Sequence, residues 1–245
     1  MFFNYVEVVI KKSIFDINTE DEYLSYKDEI DINEVNELGS SALFFSDYGK
    51  HYGKSEWLIK NGINLHILNE SKQNALFFCN YEKAKLLIEQ GIKVNQVDVH
   101  GETPLFRAVA LSDIKICQLL IDNKIDIHQI NFLRENVVFN ASLDALRLLL
   151  KCGVNINQLD KYGNNALISL DSGIYNYLKI AKCLIRSGIS LEIFERDPEK
   201  LNMIDSPAVR NLVVKCISKK ENQHIKKIIK KKEPSCQDII KRKRL

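Results

Sequence analysis

The chain has 245 residues, 45% hydrophobic and 27% charged, with ten Gly and four Pro; this balance is that of a globular chain and excludes disordered and membrane-embedded classes. It has no run of 18 uncharged apolar residues, no secretory signal pattern around Met1–Tyr5, and six Cys without a C-x-x-C pair, so a membrane span is excluded and a soluble, cytoplasmic, thiol-bearing protein is expected. The net charge of +3 hides two opposite parts: residues 219–245 carry eleven Lys or Arg against three acidic residues, and the rest of the chain twenty-four against twenty-nine.

In chain order, residues 2–12 are expected to supply a first helix. Leu24 and Tyr26 then precede Ile30-Asp31-Ile32-Asn33, which reads as the end of a degenerate capping unit over residues 1–38. From residue 39 a pattern recurs five times. Each copy opens on a turn and a capping residue before an apolar run: Gly39-Ser40-Ser41-Ala42-Leu43-Phe44, Asn74-Ala75-Leu76-Phe77, Gly101-Glu102-Thr103-Pro104-Leu105-Phe106, Asn136-Val137-Val138-Phe139 and Gly163-Asn164-Asn165-Ala166-Leu167-Ile168. Thr103 at an N-cap and Pro104 at the first helical position are the clearest of these start signals. Each copy closes on an apolar helical run ended by a turn residue: Trp57-Leu58-Ile59 to Gly62, Leu86-Leu87-Ile88 to Gly91, Leu119-Leu120-Ile121 to Lys124, Leu148-Leu149-Leu150 to Gly153, and Cys183-Leu184-Ile185 to Gly188. Gly in four of the five predicts left-handed helix caps. A short extended arm with period-two alternation follows each cap. Every unit is therefore turn, helix A, loop, helix B, cap and arm, and no unit buries its apolar face without neighbours.

A turn-and-two-helix unit of about 33 residues with G-x-T-P-L at its start and L-L-x-x-G at its end resembles the ankyrin repeat. The resemblance covers roughly residues 30–192, with Gly101–Ile127 the best match. It implies an all-α ankyrin-repeat solenoid of helix-turn-helix units with short extended arms and hairpin turns. Five repeats over residues 39–192, capping helices over 193–218 and a basic tail over 219–245 complete the expected organisation. One departure is systematic: the family's T-P-L-H histidine is replaced by Phe44, Phe77, Phe106, Phe139 and Ile168, so apolar packing must replace its polar bridge.

The anchors Ala42, Ala75, Pro104, Val137 and Ala166 step by 33, 29, 33 and 29 residues. Units two and four thus lack four residues between helix A and helix B, about one helical turn or 6 Å. A duplicated two-repeat unit, notched on one side at every second repeat, is expected. Beyond residue 192, Ser206-Pro207 starts a helix with Val209, Leu212, Val213 and Cys216 at helical spacing. Ile225, Ile228 and Ile229 make a thin apolar stripe among lysines, and the tail ends in Lys241-Arg242-Lys243-Arg244.

Chemistry-bearing motifs are weak. Gly49-Lys50-His51-Tyr52-Gly53-Lys54-Ser55 approaches a phosphate-binding loop but is one residue short and lies between helices, so it reads as a polar loop. Cys117, Cys152, Cys183 and Cys216 recur at the repeat period and read as small apolar core residues. His66 and His128 share a column with Asn95 and Asn157, where a polar residue would tie down the arm. No catalytic motif, cofactor site or metal site is expected. The basic tail admits three readings: a solvated, partly helical segment, an electrostatic contact, or a nuclear import signal; without interleaved aromatics, nucleic acid is disfavoured.

By resemblance, the contact residues lie at turn tips and the inner faces of the first helices: Asp98, His100, Arg107, Phe132, Arg134, Lys161 and Tyr162. Tyr48, Tyr52, Tyr175 and Tyr177 in the loops of units one and five are either further contacts or rings folded over the repeat edge. The expected function is non-catalytic binding of one protein partner by a monomer. The resemblance to stand-alone bacterial ankyrin proteins implies toxin neutralisation as an immunity protein, or alternatively a host-directed effector. The rival is an enzyme or regulatory subunit, against which the repeats leave no room for a catalytic domain.

Overall fold

The computed structural model describes residues 12–46, 53–170 and 176–232. The helix expected within residues 2–12, most of the Gly49–Ser55 motif, Tyr48, Tyr52, Tyr175 and the final basic cluster lie outside them. The chain divides into two compact units, residues 1–154 and 155–245. Among the described residues every regular element is helical, and the one bridge, Val35 to Ser41, is isolated.

Among the described residues the first helix of the first unit is α1 (Glu20–Tyr26), capped by Thr19 Oγ1, which accepts the Glu22 amide at 3.2 Å. The second helices of the following repeats are α3 (Lys54–Lys60), α4 (Tyr81–Glu89), α6 (Ile114–Asp122) and α7 (Leu143–Lys151). Each buries a leucine completely at the same place in the repeat, Leu58, Leu87, Leu120 and Leu149. The register follows from apolar side chains three and four apart on one helix face. Asn80, Asp113 and Ser142 cap α4, α6 and α7 by accepting an amide from the third residue of each helix. The ends are equally regular. Ile63, Ile92, Ile125 and Val154 each donate to the carbonyl five residues back, beside a left-handed residue at Gly62, Gly91, Lys124 or Gly153. These are the expected caps, with Lys124 standing where its neighbours have glycine.

The first helices vary. In the first unit they are α2 (Ala42–Phe45), a 3₁₀ turn at Ala75–Phe78 and α5 (Pro104–Ala110), followed by a non-helical turn at residues 137–140. From the anchors at 42, 75, 104 and 137, the second helices begin at 54, 81, 114 and 143. The stretch from anchor to second helix is thus six residues shorter in the second repeat than in the first, and four shorter in the fourth than in the third. α6 packs on α5, α4 and α7, and the 3₁₀ turn packs on α2 and α5.

The phenylalanines that replace histidine are buried, as expected, and leave a trace. Thr103 Oγ1 and Ser41 Oγ are buried without a hydrogen-bond partner. Where Asn takes that column it serves itself: Asn74 Oδ1 accepts the Leu76 amide, and its Nδ2 donates to the Lys93 carbonyl at 2.9 Å.

Two lysines are unexpectedly buried. Lys54 Nζ donates to the carbonyls of Ile14 and Ile17, and Lys83 Nζ to those of Phe44 and Ser46. Each ammonium collects two backbone carbonyls of an earlier chain segment. Burial pushes the Lys54 ammonium below the usual lysine range, opposed by the nearby charges of Asp16 and Glu22. The motif around Gly53 is thus no phosphate loop, because its lysine is committed inside the fold.

The second unit holds α8 (Tyr177–Arg186), α9 (Glu192–Arg196), α10 (Lys200–Met203) and α11 (Pro207–Lys232). α8 repeats the earlier ending, with Gly188 left-handed and Ile189 donating to Leu184. Ser206 starts α11, its Oγ accepting the Val209 amide, and Val209 and Val213 are buried. α11 packs on α8 and is 26 residues long, so it runs across the boundary expected at 218/219 and into the basic segment.

Candidate partner-binding surface

Between repeats the chain makes a hairpin with one construction. An Asn or Asp at its start accepts amides two and four residues on: Asn36 from Leu38 and Ser40, Asp98 from His100 and Glu102, Asn131 from Leu133 and Glu135, Asp160 from Tyr162 and Asn164. Its own amide donates to the carbonyl four residues on, and the third residue after it is left-handed. That place holds Gly39, Lys72, Gly101, Arg134 and Gly163, another alternation with the two-repeat period. Within the first unit the tips are tied in a ladder. Glu70 donates to the Leu38 carbonyl, Val99 to Ser71 and Phe132 to His100, at 2.9–3.0 Å.

This construction sets one expected contact below the tip surface. Asp98 is 6% exposed, its Oδ1 holds two backbone amides and its Oδ2 accepts Gln73 Nε2 at 3.1 Å. Its charge shapes the turn and is met only through the cavity beside α5, which it helps to line. His100 is exposed beside it. Phe132 is 74% exposed although its ring leans on Gly101, where a Cβ would lie 3.1 Å from Cδ1. Arg134 is exposed and held in the left-handed region at φ 62°. Arg107 stands on α5 with its guanidinium 4.9 Å from the centre of the Phe78 ring. In the second unit Tyr162 is 70% exposed and Lys161 Nζ lies 5.0 Å from its ring centre. Tyr177 opens α8 and is half-buried.

Sequence reasoning missed an apolar column. Val35, Leu68, Val97 and Ile130 in the first unit, and Leu159 in the second, each precede the hairpin Asn or Asp and are 37–46% exposed. Their spacing of 33, 29, 33 and 29 residues was the available signal. The arm column is also split. Asn33 Oδ1 accepts the Asn64 amide, Asn95 Oδ1 the Asp126 amide and Asn157 Oδ1 the Ser190 amide, at 2.7–2.8 Å. His66 and His128 instead give their amides to local turns with exposed side chains. Only the asparagines tie the arms.

The described cysteines are unbridged; Cys117 is fully buried, and burial pushes its thiol up to about 12. Cys79, Cys152, Cys183 and Cys216 are half-buried, so the core reading fits Cys117 best. Among the described residues no group of His, Cys, Asp or Glu is placed to hold a metal ion, and no helix is long and apolar enough to cross a membrane.

Residues 46–131 match the family model for ankyrin repeats, in three copies. An ankyrin repeat protein of fowlpox virus (strain NVSL) is 27% identical over 88 residues, which cover 34% of this chain. The match spans about 15% of the length of that viral protein. Ankyrin repeats are protein–protein interaction modules.

Proposed function

We propose that this ankyrin-repeat protein is a non-catalytic binder that engages one protein partner through its hairpin tips and acts by covering the surface it grips. The observation that carries the reading is Phe132: a large aromatic ring, 74% exposed, on a tip whose backbone is fixed by Asn131 and by the Phe132 amide's hydrogen bond to the His100 carbonyl. An ordered aromatic costs little entropy to dock and is among the residue types that dominate interface energies. Tyr162, 70% exposed on a tip of the same construction, is the second anchor. His100, Arg107 and Arg134 supply polar contacts in the first unit, and Lys161 does so beside Tyr162 in the second. The protein acts as a monomer in the cytoplasm, where its cysteines stay thiols. Occlusion of the partner is inhibition, the mode of an immunity protein.

The test is capture on the purified full chain. One stoichiometric partner is expected, lost when Phe132→Ala and Tyr162→Ala are combined while the circular dichroism spectrum is unchanged. Undiminished capture by the folded double variant would overturn the reading, as would turnover of a substrate by the isolated chain.

A further inference from the structure

We infer that the notch beside α5 is a seat for one long basic side chain, Lys or Arg, of the bound protein; this inference rests on the protein-binding reading above. A cavity of about 200 Å³ opens in the first unit where α5 stands between the shortened first-helix segments at Ala75–Phe78 and 137–140. Phe77 and Phe106, both buried, give it aromatic lining. Asp98 and Glu102 bring two carboxylates to the same cavity, against one cation, Arg107. Asp98 is fixed by the hairpin, and Glu102 Oε1 accepts Asn131 Nδ2 at 3.1 Å, so both are positioned before any guest arrives. Thr103 lines the cavity too, and its buried Oγ1 has no partner, the consequence of Phe106 standing where the family has histidine.

The chemistry selects the guest. An anion would meet net negative charge, and an apolar guest would desolvate two carboxylates without pairing them, which is costly. A long basic side chain lays its methylenes on Phe77 and Phe106 and presents its cationic head to Asp98 and Glu102. The two-repeat alternation explains the notch, because a full-length first helix on each side would crowd it.

The probes are N-acetyl-arginine methylamide, N-acetyl-lysine methylamide and, as neutral control, N-acetyl-norleucine methylamide, titrated into the ¹⁵N-labelled full chain. The reporters are the side-chain amides of Gln73 and Asn140, which line the notch, and the backbone amide of Glu102. Saturable shifts with the arginine or lysine probe and none with norleucine are expected. Glu102→Gln, which keeps an acceptor for Asn131, should weaken the basic probes about threefold to tenfold. Equal shifts with norleucine, no shift with any probe, or unchanged binding in Glu102→Gln would overturn the seat. The double variant at Phe132 and Tyr162 leaves the notch intact, so this titration and partner capture fail independently.

Discussion

Single residues carry the repeat's exceptions, and each exception has a measurable cost. Lys124 sits at φ 66° where four other second-helix ends have glycine, and a side chain in the left-handed region is strained by about 1 kcal/mol. Lys124→Gly should therefore raise stability by about 0.5–1 kcal/mol in urea unfolding, whereas Gly91→Ala should lower it by about 1 kcal/mol. Nothing lies within 4 Å of a Cβ built at Gly91, so that loss isolates backbone strain. Thr103 is the converse case, a hydroxyl with nothing to bond; Thr103→Val should be neutral or stabilising by up to about 1 kcal/mol.

Lys54 gives the pH signature. Its folded-state pKa lies below the unfolded value of 10.5, so the folded state holds its proton less tightly. The cost of burying the ammonium is present below the depressed pKa and is relieved as pH rises from there toward 10.5. Urea midpoints measured from pH 7 to 10.5 should thus rise for the wild type relative to Lys54→Met, and a parallel pair of profiles would contradict this assignment.

At the scale of elements, the repeats were legible because their apolar columns are written in sequence: Leu58, Leu87, Leu120, Leu149 and Leu184 are all buried where the period places them. The alternation in distance from anchor to second helix could be read from the spacing of the anchors. What could not be read was the role of polar side chains that leave their own column. Lys54 and Lys83 look like helix-surface lysines in sequence, and only the fold brings the carbonyls of an earlier segment within their reach. Asp98 looked exposed because it lies at a tip, yet the tip is built around it.

Lys200 is the same kind of residue. Within the second unit its Nζ donates to the carbonyls of Tyr162 and Gly163 at 3.2 Å and to Asn164 Oδ1 at 2.6 Å. The Tyr162 carbonyl corresponds to those of Leu38, Ser71 and His100, which earlier tips fill with a following amide. α10 therefore closes the last hairpin with an ammonium in place of another repeat, a protection that an open polar edge needs. Lys200→Ala should cost about 1–2 kcal/mol and speed amide exchange across residues 160–165. Exchange unchanged there would mean that the hairpin holds without its cap.

For the whole molecule, charge and shape divide the labour. Residues 1–218 are mildly acidic and carry the hairpins, while the basic segment begins inside α11. Aromatic tips and a basic helix predict different salt dependence, because exposed charge contacts are screened at physiological ionic strength and buried aromatic contacts are not. The most direct test compares the captured partner's affinity for three folded proteins at 150 mM salt: the wild type, the Phe132→Ala/Tyr162→Ala variant and a chain lacking residues 219–245. The account predicts a loss of about 30-fold or more for the aromatic double variant and near wild-type affinity for the truncated chain; loss confined to the truncated chain would contradict it.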